Sequence, residues 1–503
     1  MGLMDPKLYQ FLVSCFASVG SFSYGYDLGI IAQVVASESF VEYFNHPNST
    51  DIGLVVSLFT AGAFVGAFMA GFISDRIGRR GTIATATAIF IFGSALECGA
   101  RNIKYLFAGR FIGGMGVGNL TMIIPLYQAE LAHPTIRGRV TALQQFFLGI
   151  GALCASWIGY GCYLGFDTNM QWRLPLGLQI IPAGFLGSLI FFFPESPRWL
   201  LGKDRHEEGL KTLAKLYAHG DTEDAFVKVE FETIQASIVE EREKKASWIE
   251  LFTVRSNFRR ILICVALQAS VQLTGVSAIQ YYSPTIFAQI GLSTGRTLLF
   301  QAINSIIALI AQALCIIFVD RFGRRWPLII GNLGNSATFI VSCILLAVYP
   351  PSRANNPRSA QIGFIASTWI YNFSFSSTCG PLSWVIPAEV FNTATRSWGV
   401  SISTMTSYAF NTMIGQVTDK AMNEAGYKYY FLFIICNFTN AIFFWAVLPE
   451  TAKTPLESMN KLWEEAPWFV PPMNKHDFLT ELEEEVKEVN EKEAAGTHIE
   501  SKV

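Results

Sequence analysis

Asp75-Arg76-Ile77-Gly78-Arg79-Arg80 lies between two apolar stretches, and Asp320-Arg321-Phe322-Gly323-Arg324-Arg325 does the same 245 residues later. Two further signatures repeat with it. Glu130 is followed seven residues on by Arg137, and Glu389 by Arg396, at an offset of 259. Pro194-Glu195-Ser196 returns as Pro449-Glu450-Thr451 at an offset of 255. Three signals at nearly one offset mark an internal repeat, so the chain reads as two halves of like topology.

The apolar stretches around these signatures set the class. A helix rises about 1.5 Å per residue and the bilayer core is about 30 Å thick, so about 20 mostly apolar residues cross it. Twelve such spans are present: 8–37, 52–74, 82–99, 105–128, 140–166 and 174–193, then 261–290, 297–319, 327–348, 362–386, 397–417 and 429–448. Only 15% of the 503 residues are charged and 51% are hydrophobic, with a mean hydropathy of +0.35. Soluble domains carry roughly 25% charge, so a water-facing surface cannot be built from this chain. The expectation is an all-α membrane protein with a first six-helix half at 1–194, an intracellular helical segment at 195–260, a second half at 261–448 and a cytosolic tail at 449–503.

The balance of 37 Lys and Arg against 39 Asp and Glu gives a net charge of −2, with no basic excess for nucleic acid. The nine cysteines fall in apolar stretches without a C-x-x-C pair, and read as small buried hydrophobes rather than disulfides or metal ligands. No cofactor is expected. An even number of spans puts both termini on one side. The 12 Lys and Arg of 195–260 assign that side to the cytosol, with the plasma membrane as the expected location. The first span is full-length, unlike the short apolar region of a cleavable signal. Within 195–260, residues 209–218 and 227–239 are amphipathic and suit short helices under the bundle. The stretch 481–493 is too charged to pack. Asn48-Ser49-Thr50 in the first outer loop makes Asn48 a glycan acceptor, the alternative being an unused sequon.

Charge at the span ends suggests how two halves could alternate. The arginines of a tight D-R-x-G-R-R turn can pair with carboxylates at neighbouring helix ends and latch one state. The candidate gating charges are Asp75, Arg76, Arg79, Arg80, Glu130, Arg137 and Glu195, with Asp320, Arg321, Arg324, Arg325, Glu389, Arg396 and Glu450 in the second half. The bland reading of any single arginine is that it enforces orientation.

Together with Gly25-Tyr26-Asp27, the run Arg110 to Gly118 and P-E-S-P-R-W-L-L at 194–201, these signatures resemble the sugar porter family of the major facilitator superfamily, its fungal members above all. The resemblance runs from about Tyr9 to Leu456. It implies the major facilitator fold, with twelve transmembrane helices in two pseudo-symmetric halves, and transport of a monosaccharide or related polyol across the bilayer.

Ionisable groups inside spans default to functional candidates because they are costly there. Asp27 and Arg110 lie at comparable depth below the outer surface. Protonated, Asp27 would release Arg110; deprotonated, it would capture it. In proton-coupled members the matching residues hold these roles, while passive members resemble this site but carry Asn at the Asp position. Symport of substrate with protons is the leading expectation and a structural ion pair the alternative. Glu97, near the outer end of its span, reads as snorkelling to the surface.

A sugar needs neutral amides and hydroxyls for its hydroxyl groups and an aromatic face for its C–H groups. Such groups are Tyr24 on span one, Gln145 beside Gln144 on span five, and Gln272, Ser277 and Tyr281 around Gly275 on span seven. Trp384 follows Gly380-Pro381 on span ten, and Tyr408 and Asn411 lie on span eleven. Gln145, Gln272, Trp384 and Asn411 agree in type with the family's sugar-binding motif. Val271, Ser277, Tyr408 and Tyr24 depart from its usual Gln, Asn, Trp and Phe. The lost amide at Val271 opens the substrate range to pentoses, deoxysugars and polyols besides hexoses. A facilitated-diffusion uniporter and a non-transporting sugar sensor are the alternative readings. An enzyme is not expected, because no nucleotide loop, metal constellation or nucleophile with its base is found.

Overall fold

The computed structural model describes residues 5–133, 136–243, 249–289, 293–350, 357–391, 393–451, 462–464 and 466–470. Several side chains within helices, those of Arg137 and Asp320 among them, are outside that description, as is the stretch 481–493. The described residues form helices and no strand, as an apolar solvent requires of chains that do not close into a barrel. Eight helices are long and apolar enough to span a bilayer by themselves. One of these, Ser49–Cys98, is spans two and three joined. The remaining crossings are the interrupted or more polar helices of spans one, ten and eleven.

The turn at Gly78 shows why the repeated hexapeptide decides the fold. Ser49–Cys98 bends sharply at Gly78, whose φ of 82° and ψ of 179° belong to a region essentially closed to other residues. Gly323 ends Thr294–Phe322 with φ 79° and ψ −164°, the same conformation, before Arg325–Val348 begins. Each glycine reverses one span into the next within two residues. The arginines that follow are thereby aimed back at the helix ends.

Four spans are divided, span six among them, as Met170–Leu178 and Ile180–Leu189 on either side of Gln179. Span one is Pro6–Ala17 and Val19–Val35, broken at Ser18. Span seven is Arg255–Leu273 and Val276–Gln289, broken where Gly275 takes φ 96°. Span ten is Arg358–Ser377 and Cys379–Val390, broken at Thr378, just before Pro381, which has no N–H to continue the ladder. Ser18 and Gln179 keep helical dihedrals, whereas Gly275 and Thr378, with φ −132° and ψ −84°, leave them, and such backbone at membrane depth is tolerated only inside a protein or along a cavity.

The halves meet along spans two and eleven and along spans five and eight, with one apolar core running through both. Spans two and eleven run together along their length: Ser57 donates to Gln416 Oε1 at 2.7 Å, the Thr60 and Thr412 hydroxyls lie 2.8 Å apart, and Ser401 donates to the Ala67 carbonyl at 2.7 Å. Phe72 packs edge-on to Trp398 nearer the Gly78 turn. The outer girdle is apolar, with Phe192 80% and Leu164 66% exposed, as lipid-facing positions are. The segment between the halves forms the helices Pro197–Gly202, His206–Tyr217 and Ala225–Glu243, which share a small core of Leu201, Leu213, Val227 and Ile234. They lie against the start of span one, where Gln10 donates to the Leu216 carbonyl.

Candidate functional site

Arg110 is fully buried and is held from four sides. Its Nη1 donates to Asp27 Oδ1 at 2.5 Å and its Nε to the Val55 carbonyl at 2.9 Å. The guanidinium lies over the Phe59 ring at 4.2 Å, and Glu97 Oε2 is 3.8 Å from Nη1. Asp27 is likewise fully buried. The second part of span one, Val19–Val35, and span four thus bring the expected pair together in direct contact.

Glu97 corrects the sequence reading. It does not snorkel: it is fully buried and accepts from Gln179 Nε2 at 3.2 Å. The reason is the closeness of spans three and four. A Cβ at Gly93 would collide with the backbone of Gly113, and one at Gly109 would lie 2.7 Å from Glu97 Cγ. With bare backbone facing it, the Glu97 side chain is enclosed between the two helices and cannot reach the surface. Its glycine neighbours were visible in the sequence, but not which face of span four they lined.

The neutral polar candidates form linked pairs across the bundle. Trp384 Nε1 donates to Gln145 Oε1 at 2.9 Å, joining the two halves. Tyr281 donates to Asn411 Oδ1 at 3.0 Å. Tyr408 and Thr121 hydroxyls lie 2.8 Å apart, and the Tyr24 ring meets Tyr408 edge-on at 6.0 Å. Tyr24 stands three residues before Asp27 on Val19–Val35, so this cluster adjoins the ion pair. Gln272 is differently employed: its Oε1 accepts from Ser277 at 2.5 Å and its Nε2 donates to Ser407 at 2.9 Å. Gln144 turns away to the Thr121 carbonyl.

A cavity of about 80 Å³ lies beside Gln145, between spans one, five, seven, eight and ten. Gln280, Gln301, Asn304, Gln312 and Asn372 line it, none of which the sequence reading singled out. The amide oxygens of Gln301 and Gln312 are buried with no hydrogen-bond partner among the described residues. Buried acceptors of that kind are costly unless something donates to them. Amides recurring on span eight at helical spacing, Gln301, Asn304 and Gln312, were the available signal.

On the face that carries the Gly78 and Gly323 turns, the repeat becomes a repeated network. Arg79 grips Glu130 with two bonds of 2.7 and 2.8 Å, and its backbone N–H and that of Arg80 donate to the Glu195 carboxylate at 3.0 and 3.2 Å. Arg80 also caps the Phe193 carbonyl. In the second half Arg324 grips Glu389 at 2.9 and 3.3 Å, and the N–H groups of Arg324 and Arg325 donate to Glu450. Burial pushes the Glu195 carboxyl above the usual carboxylate range, against the N–H groups of Ser196, Arg80 and Arg79 that favour its ionised form. Asp75 stands 3.9 Å from Arg79, Arg396 donates to the Phe391 carbonyl, and Arg76 and Arg321 are exposed. Each described ion pair here lies within one half. The network therefore ties three helix ends into one rigid body, rather than bolting one half to the other.

Asn48 is exposed on the opposite face, where its side chain caps the helix beginning at Ser49.

The sugar (and other) transporter family model matches residues 13–463. The chain belongs to the sugar porter family of the major facilitator superfamily and is an integral membrane protein. Among its relatives are the MFS-type transporter criB of Aspergillus cristatus, 32% identical over 90% of this chain and 94% of that protein, and the quinate permease of Emericella nidulans, 31% identical over 92% and 90%. The E. coli proton:xylose symporter XylE, solved with bound 6-bromo-6-deoxy-D-glucose, has the same fold, with a TM-score of 0.79, 26% identity and coverage of 90% of this chain and 99% of XylE. These relatives are transporters, not enzymes.

Proposed function

We propose that this chain carries a monosaccharide or small polyol together with protons, by alternating access, in a plasma membrane whose cytosolic side receives both termini. The observation that carries the reading is the buried contact between Asp27 and Arg110, beside the Tyr24–Tyr408 pair. A carboxylate and a guanidinium out of water persist only as a pair, so neutralising Asp27 frees Arg110 and alters what the neighbouring polar cluster can bind. Gln145, Trp384, Tyr281, Asn411, Tyr24 and Tyr408 are the groups that hold the substrate, with Gln301 and Gln312 as further acceptors. Gln272 and Ser277 shape the site through each other. That XylE is described as a proton:xylose symporter supports the coupling, and the quinate permease among the relatives supports a substrate range beyond hexoses.

The motion follows from the packing. Two halves stiffened by the Arg79–Glu130 and Arg324–Glu389 networks rock about an interface whose polar contacts are hydroxyls and amides, which exchange partners at low cost. Asn48, on the outer side, is the glycan acceptor. Uptake of labelled hexoses, pentoses and polyols, with and without a protonophore, tests the reading. Accumulation abolished by the protonophore is the expected result, and uptake that only equilibrates the substrate, equally with and without the protonophore, would instead make the chain a uniporter.

A further inference from the structure

Arg110 has two carboxylates within reach and one positive charge to offer them. Asp27 Oδ1 is 2.5 Å and Glu97 Oε2 3.8 Å from the same nitrogen, Nη1. We propose that Glu97 is the second proton-binding partner of Arg110, so that Asp27 and Glu97 hold one proton between them and the proton-loaded cluster is neutral. This rests on the proton-coupled reading above and names how its site is built.

Charge counting favours it. With both carboxylates ionised the cluster carries −1, and one proton brings it to zero. Were Asp27 alone with Arg110, the empty site would be neutral and the loaded site +1, a net charge left in an apolar interior. Glu97 thus makes proton binding the step that removes buried charge. When the proton sits on Asp27, Arg110 turns to Glu97; when it sits on Glu97, Arg110 stays with Asp27, as in the geometry described.

The surroundings fit that exchange. Asp27 Oδ2 and Glu97 Oε1 have no hydrogen-bond partner among the described residues, so each carboxyl keeps an oxygen free for the proton. A Cβ at Gly113 would lie 3.3 Å from Glu97 Oε1, so span four puts no side chain between Glu97 and Arg110 at Gly109 or Gly113. Gln179, fully buried, donates to Glu97 and holds it in place without adding charge. The other ionisable groups nearby are already engaged. Tyr281 donates to Asn411, Tyr24 packs on Tyr408, Cys98 donates to the Arg173 carbonyl, and Arg173 donates to Tyr43 and to the Ala100 carbonyl.

The test uses the full chain reconstituted in liposomes. The carbonyl stretch of protonated carboxyl groups is followed by infrared spectroscopy against pH in the parent, E97Q, E97D and D27N, alongside uptake with and without a protonophore. In the parent one carboxyl loses its proton between the loaded and empty forms. In E97Q the remaining Asp27 faces Arg110 without a competing negative charge, so its titration moves to lower pH by about one unit or more, the usual reach of a neighbouring charge. The pH optimum of accumulation moves with it, while E97D, which keeps the charge, stays near the parent. An E97Q protein whose carboxyl titrates at the parent's pH overturns the inference. Parent uptake indifferent to the protonophore, with the E97Q shift intact, overturns the symport reading and leaves the shared proton supported.

Discussion

Gly78 and Gly323, 245 positions apart, turn the chain through one backbone conformation, with φ of 82° and 79°. Each puts two successive N–H groups onto a single carboxylate, Glu195 in one half and Glu450 in the other. A Cβ on Gly78 would stand 2.6 Å from Glu195 Oε2. Gly78→Ala therefore meets both backbone strain, about 1–3 kcal/mol for such a conformation, and loss of this anchor. Lower thermal stability and reduced uptake are expected in purified protein and in cells, and wild-type melting behaviour would show that the turn tolerates a side chain.

Asp27→Asn keeps the shape of the side chain and removes its charge. Uphill accumulation is expected to vanish while downhill exchange persists, measured as counterflow in proteoliposomes. Unchanged accumulation would remove Asp27 from the coupling mechanism.

The Trp384–Gln145 bond crosses between halves, so the proposed alternating access requires it to form and break as the site opens. Trp384→Phe and Gln145→Leu each lose about 1 kcal/mol or more of substrate-state stabilisation, seen as a several-fold rise in KM. Because the two groups share one bond, the double variant is expected to cost less than the sum. Strict additivity would argue that they act separately.

Gln301 offers a contrasting test. Its amide oxygen has no partner among the described residues, so Gln301→Leu costs the fold little. A substrate hydroxyl that donates to it would be lost, raising KM roughly tenfold for a bond worth about 1.4 kcal/mol. A variant that is less stable but has an unchanged KM would assign Gln301 to packing alone.

Much of this molecule was legible as a string. Periodic apolar runs and a twice-written signature are local properties, and a bilayer leaves a chain with such runs few ways to satisfy its backbone, so the helical halves and their likeness followed. Asp27 and Arg110 stood out because charge inside a span is costly wherever it occurs. Tertiary structure alone decided what each charge met. Glu97 is buried because three glycines on two helices bring their backbones together, a matter of facing surfaces that spacing along one helix does not specify. The same holds for Arg79 and Arg324, which close each half on itself, and for Gln272, whose amide is spent on Ser277 and Ser407 while Gln301 and Gln312 each keep a buried amide oxygen unpartnered among the described residues. Partner choice in a packed bundle depends on rotation and separation of helices, and those are settled only when all the helices compete for the same interior.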